Sequence, residues 1–179
     1  MKLTAQDLER AIIFATEKHS GQVRKSDGRP YILHPLAVMQ TMYEIKKSKN
    51  MNLLAIVCVL HDTVEDCNVT LSEIAENFGY SVASIIEELT SCKESIKELG
   101  KAKYLAGKMS SMSSYALVIK LIDRLNNVSD LNSMPQEFKN KYVAETFYII
   151  KEINTNRKLS DTHLKLMDLI VGKIETSNI

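Results

Sequence analysis

The chain has 179 residues, 45% of them hydrophobic and 25% charged, with a formal net charge of +1. That length suits one compact domain with a sizeable core, and the near-zero charge gives no bulk electrostatic case for nucleic acid or an anionic membrane. Its longest apolar run falls well short of the ~20 residues a transmembrane helix needs, and the start, Met1 to Asp7, lacks the apolar stretch of a signal peptide.

Helix signals follow one another along the chain. Thr4 with Asp7 marks a start, and Leu8, Ile12 and Ala15 continue one face toward His19. Ser20 to Tyr31 is a polar loop holding Gly21, Gly28 and Pro30. Pro35 suits the first turn of a helix reaching about Lys47, with His34 at its N-terminal edge. A helix from Asn52 to Asp66 follows, then a capping box at Thr70-Leu71-Ser72-Glu73, with Gly79 ending that short helix. Another runs from about Ser81 to Thr90. Ser91 to Met112, rich in Lys, Gly and Ser, is ambiguous and read as partly mobile. A long helix is expected from about Ser113 to Leu131. Pro135 opens the next, in which Phe138, Tyr142, Ile149 and Ile153 recur at helical spacing. Ser160-Asp161 caps a last helix carrying Leu164, Met167, Ile170 and Ile174. No stretch alternates like a strand between turn pairs. The expected fold is all-α, a single domain over residues 1–179.

The chemistry concentrates at Leu60-His61-Asp62-Thr63-Val64-Glu65-Asp66. The preceding run, Leu53 to Leu60, has only aliphatic residues and one Cys, so as a helix it is buried all round. Helical spacing puts Glu65 one turn above His61 and Asp62, and Asp66 one turn above Asp62. Partly buried carboxylates need a cation or donors to offset their desolvation, and a divalent metal meets that need. A surface ion pair at a helix end is the plain alternative.

Lys120, Asp123 and Asn127 form a polar stripe on an otherwise apolar helix. Such a stripe is commonly a solvated face, but Asp123 would also complete the shell that His61 and Asp62 leave short. His34, otherwise a helix cap, supplies the remaining ligand. Two His nitrogens and two carboxylates suit Mn²⁺, Fe²⁺ or Zn²⁺ better than Mg²⁺ or Ca²⁺. Arg24, Lys25 and Ser26, just upstream of His34, offer charge-assisted donors for phosphate; the alternative is an ordinary basic loop. Cys58, Cys67 and Cys92 follow no metal spacing and are odd in number, so free packing thiols in a reducing cytoplasm are expected. Tyr142, Phe147 and Tyr148 read as core aromatics.

Three passages then carry a resemblance. They are Phe14 to His19 continuing through Arg24-Lys25-Ser26 to Tyr31-Ile32-Leu33-His34-Pro35, Leu60 to Asp66, and Ile119 to Asn127. In this order they resemble the HD superfamily and, more narrowly, the hydrolase domain of the RelA/SpoT family, in its stand-alone alarmone-hydrolase form. The motif-bearing part spans about residues 8–131, and helices at 135–175 complete the domain. The resemblance implies Mn²⁺-dependent removal of the 3′-pyrophosphate of ppGpp and pppGpp, one ion being held by His34, His61, Asp62 and Asp123. It places Glu65 and Asp66 at the attacking water and leaving group, Arg24, Lys25 and Ser26 at the pyrophosphate, and Asn127 near the ribose or phosphate. The expected partner is a small nucleotide, and nothing indicates an oligomer. Alternatives are another HD phosphohydrolase, such as a nucleotidase or an NADPH phosphatase, and a non-catalytic nucleotide sensor. The chain departs from many long relatives at Asp27, inserted before Gly28, at Cys67 in place of Thr, and at Asn126 in place of His or Tyr.

Overall fold

A computed structural model describes residues 3–176, and its regular elements are all helical apart from one isolated bridge between Val23 and Pro30. The chain forms two compact units, one within Met1–Thr90 and the other within Ser91–Ile179. Each owes its elements to local signals that the sequence states openly.

In the first unit, α1 (Ala5–Lys18) starts at Thr4, whose hydroxyl accepts from the Asp7 amide while the Asp7 side chain accepts from the Thr4 amide. These Thr4 bonds also hold the Asp7 carboxyl below its ordinary range. Next come α2 (Leu33–Ile45) and α3 (Met51–Leu60). Every residue from Leu54 to Leu60 in α3 is fully buried, because α1, α2 and the later helix α6 (Tyr80–Leu89) pack around it. The α5 helix (Leu71–Phe78) begins at Thr70, whose hydroxyl accepts from the Glu73 amide, and α6 (Tyr80–Leu89) follows after a single residue. That residue, Gly79, has φ +90°, a conformation that costs glycine little and other residues much.

The helix expected from Asn52 to Asp66 is broken. It ends at Leu60, and a four-residue helix α4 (Thr63–Asp66) takes over after His61 and Asp62. Side chains cause the break. His61 Nδ1 donates to the Cys58 carbonyl at 2.7 Å, and the Thr63 hydroxyl donates to the Leu60 carbonyl at 2.7 Å. These bonds satisfy the last carbonyls of α3 where the next turn's amides would otherwise do so.

In the second unit, the ambiguous stretch Ser91 to Met112 is two helices, α7 (Lys93–Leu99) and α8 (Lys101–Ser111), joined by Gly100 at φ +79°. Its Lys and Ser residues are exposed or half-buried while Leu105, Ala106 and Met109 are buried, so a thin apolar stripe fixes a polar segment. The remaining helices are α9 (Ser114–Ser129), α10 (Gln136–Asn156) and α11 (Asp161–Thr176). Pairs α8–α10 and α9–α11 make the principal contacts. Buried His163, rather than the expected Leu164, anchors α11. It accepts from the Ser160 amide and reaches the Ser114 carbonyl, both at 3.1 Å.

The aromatic residues of α10 correct the sequence reading. Phe147 and Tyr148 are 39% and 40% exposed, and Phe138 lies open as well. The inward face of α10 carries Glu145, Thr146, Ile149 and Ile153 instead. Glu145 is there because Arg124 of α9 is buried too: its guanidinium donates to Glu145 Oε1 and to the Thr146 hydroxyl, each at 2.8 Å, and lies 4.8 Å from the Tyr142 ring. Removing one member of such a pair leaves an uncompensated buried charge. Arg124→Met should therefore lower the unfolding free energy by about 3–5 kcal/mol, read from urea denaturation. A loss under about 1 kcal/mol would show that Lys101, 3.8 Å from Glu145, carries the charge alone.

Candidate metal centre and phosphate loop

The break between α3 and α4 sets the geometry of the site. His61 and Asp62 fall in the two-residue gap, where the chain leaves the core. Because the Cys58 carbonyl can only accept, His61 carries its proton on Nδ1 toward that oxygen, and Nε2 faces away from it. Nε2 lies 3.0 Å from Asp62 Oδ2. His34, on the first turn of α2, brings its own Nε2 to 3.8 Å from the same oxygen, with the two imidazole centroids 5.4 Å apart. The Tyr31 hydroxyl donates to that oxygen at 2.6 Å. Two nearly buried imidazoles and a phenol thus converge on one carboxylate oxygen.

This donor set fits a divalent cation. A histidine whose Nδ1 donates to a backbone carbonyl is oriented to ligate through Nε2, and two imidazoles with a carboxylate are the donors of borderline transition metals. Glu65 and Asp66 follow on α4, Glu65 half-buried and Asp66 exposed. The Asp66 carboxyl is nevertheless raised above the usual aspartate range. Partial loss of hydration is the main cause, and the Asp62 and Glu65 charges add to it against the pull of His19 and His61.

Asp123 stands on α9 of the second unit. It is buried rather than on a solvated face, which answers the alternative reading of that stripe. Its Oδ1 accepts from Asn127 Nδ2 at 2.7 Å and its Oδ2 pairs with Lys120 at 3.0 Å. Asn127, expected at the substrate, is thus hydrogen-bonded to Asp123.

Arg24, Lys25 and Ser26 occupy a tight loop closed by Arg24 N–H to the Arg29 carbonyl at 2.8 Å and Tyr31 N–H to the Gln22 carbonyl at 2.9 Å. The Ser26 hydroxyl is shut off from solvent and meets no hydrogen-bonding group among the described residues. Asp27 turns back on Arg29, pairing with its side chain at 2.6 Å and accepting from its amide at 3.0 Å.

Several contacts escaped the sequence reading. Cys67, taken to have no useful His nearby, has its sulfur 3.1 Å from Nδ1 of His19, 48 positions away. Burial raises this thiol above the ordinary cysteine range, which keeps it protonated and in keeping with a packing role. His19 also meets Gln22 Oε1 at 2.8 Å, and Gln22 Nε2 donates to the Asp66 carbonyl at 3.1 Å. Only the three-residue spacings His19–Gln22 and Tyr31–His34 hinted at these roles.

The chain matches the HD domain family over residues 11–158. It is 36% identical over 154 residues to a guanosine-3′,5′-bis(diphosphate) 3′-pyrophosphohydrolase of Aquifex aeolicus, a match covering 81% of this chain and 20% of that protein. It is 32% identical over 164 residues to the human guanosine-3′,5′-bis(diphosphate) 3′-pyrophosphohydrolase MESH1, covering 88% of this chain and 90% of that one. The chain thus spans about a fifth of the length of the former and nine-tenths of the latter. A solved structure of a metazoan SpoT orthologue, described as hydrolysing ppGpp, shares the fold at a TM-score of 0.78 and 21% identity, covering 97% of this chain and 98% of that one.

The raised Asp66 carboxyl has a consequence for stability. A carboxyl that holds its proton more tightly when folded disfavours the folded state once pH passes above the unfolded pKa, and the penalty is complete above the folded one. Metal-free Asp66→Asn should therefore be more stable than wild type at pH 7, by at most ~1 kcal/mol after solvent screening. The gain should vanish below pH ~3, where both states are protonated. Thermal denaturation in chelator at the two pH values measures it.

Proposed function

Because the chain belongs to the HD-domain family, among RelA/SpoT-type hydrolases similar to the stand-alone alarmone hydrolases, we propose that it is a metal-dependent phosphohydrolase removing the 3′-pyrophosphate of ppGpp and pppGpp. The products are pyrophosphate and GDP or GTP. The observation that carries this reading is the convergence of His34, His61 and Tyr31 on one Asp62 oxygen, with two further carboxylates on the next turn.

Family membership implies a divalent metal, and we propose Mn²⁺, with Fe²⁺ or Zn²⁺ as alternatives, held by His34, His61, Asp62 and, on the strength of the sequence motif, Asp123. When bound, such an ion lowers the pKa of a coordinated water and offsets charge on the phosphoryl group. The protein's own residues do the rest. The Glu65 carboxylate orients a water and takes its proton as the oxygen attacks the phosphorus bonded to the 3′-oxygen. That P–O bond breaks, and the 3′-oxygen leaves with a proton, a role we assign to Asp66 from its place one turn beyond the ligands. Arg24 and Lys25 bind the pyrophosphate charge. A phosphate oxygen on the Ser26 hydroxyl would meet an otherwise costly buried group. Asn127 gives its Nδ2 to Asp123 and keeps its amide oxygen for a sugar hydroxyl.

We place both units in one HD domain over residues 1–179, supported by the family match that spans them. A cytoplasmic setting is supported by three free thiols. No described helix is long and apolar enough to cross a membrane.

Purified protein should release pyrophosphate from ppGpp with Mn²⁺ and not after chelation. At equal concentration ppGpp should outrun NADPH and simple mononucleotides. A mononucleotide preferred tenfold or more would replace this reading with a general HD nucleotidase. Glu65→Gln should keep its metal yet lose turnover by ~10²–10⁴-fold, the usual share of general acid–base catalysis. Near-normal turnover in that variant would remove Glu65 from the mechanism.

A further inference from the structure

The loop proposed to grip phosphate is fastened at both ends to the turn that carries the metal ligands. At its far end, the Tyr31 hydroxyl donates to Asp62 Oδ2 at 2.6 Å, a short bond of the kind made to an ionised carboxylate. The Tyr31 ring is itself wedged between His19 and His34, with centroids 4.8 Å and 5.7 Å away. At its near end, Gln22 bridges two segments. Its Oε1 lies 2.8 Å from His19 Nδ1, while its Nε2 donates to the Asp66 carbonyl at 3.1 Å and reaches the Cys67 sulfur at 3.7 Å. The backbone between the two pins is closed on itself by the Arg24–Arg29 and Gln22–Tyr31 bonds.

Resting on the metal-site reading above, we propose that Tyr31 and Gln22 are positioning residues with separate duties. Tyr31 fixes the rotamer of the ligand carboxylate Asp62, so it sets metal affinity. Gln22 fixes the C-terminal end of α4, so it sets the aim of Asp66 without touching the metal. Asp62 is the N-cap of α4 and its carbonyl accepts from the Asp66 amide at 2.9 Å, but its carboxylate makes no capping bond to that helix, so bonds from outside it decide which way the carboxylate points. Likewise α4 is one turn long and cannot hold its own last carbonyl, which the Gln22 amide secures.

The test separates the two duties and reads metal binding apart from activity. Metal-free protein is titrated with MnCl₂, with free Mn²⁺ followed by electron paramagnetic resonance. Tyr31→Phe keeps the ring packing and deletes only the hydroxyl, and it should weaken Mn²⁺ binding ~10–100-fold, as loss of a ligand's supporting hydrogen bond does. Tyr80→Phe, at an 86% exposed position, should bind as wild type. Gln22→Met should also bind Mn²⁺ as wild type but lower kcat for ppGpp about tenfold, the weight of one hydrogen bond, with KM within about threefold. Wild-type Mn²⁺ affinity in a natively folded Tyr31→Phe overturns the first duty, and a Gln22→Met defect confined to KM overturns the second. Wild-type protein that binds Mn²⁺ but leaves ppGpp intact would count against the proposed substrate and leave the Tyr31 test standing.

Discussion

A helix that is apolar on every side cannot rest on a surface, and α3 is such a helix. From Leu54 to Leu60 it is fully enclosed, held by α1, α2 and α6. At ~25 cal/mol per Å² of buried apolar surface, this is the term that outweighs the entropy of ordering its neighbours. The first polar residues after it, His61 and Asp62, therefore sit where the core ends. Their position follows from burial of the helix before them and not from any contact of their own. The site inherits its rigidity from the core in this way.

The same enclosure makes the local polar bonds strong. Around Asp62 the dielectric is low, and a bond from Tyr31 or an imidazole carries more weight there than it would in water. The cost is that every polar atom needs a partner. The His61 bond to Cys58 and the Thr63 bond to Leu60 meet that need at the end of α3, and in doing so they break the helix. One set of bonds thus both terminates the helix and orients the proposed ligand.

Much of this was legible in the chain. Thr4-Asp7, Thr70-Glu73 and Ser113 cap helices where their spacing said they would, and the buried run ahead of His61 named the central helix. What could not be read were features fixed by distant partners. The break at His61 depends on side chains competing with amides for carbonyls, and helical periodicity is blind to that. The segment Ser91 to Met112 looked loose because its apolar stripe is thin and interrupted by Gly and Ser, yet packing of α8 on α10 decides it. Phe147 and Tyr148 looked like core because they are aromatic, but the buried Arg124–Glu145 pair claims the inner face of α10. Cys67 and His19 are 48 positions apart, and no local pattern joins them.

The Asp27–Arg29 clasp changes how the loop meets its surroundings. Three cations, Arg24, Lys25 and Arg29, lie within six residues, and Asp27 ties up the last of them in a chelate of side chain and backbone. Arg29 thereby cancels against a neighbour instead of adding to the field that an anion feels on approach. Capture of a phosphate ligand then rests on the half-buried Arg24, the exposed Lys25 and short-range bonds. Association should be less steeply dependent on ionic strength than three adjacent cations would make it, so the loop gains tolerance to changes in cellular salt at some expense in encounter speed.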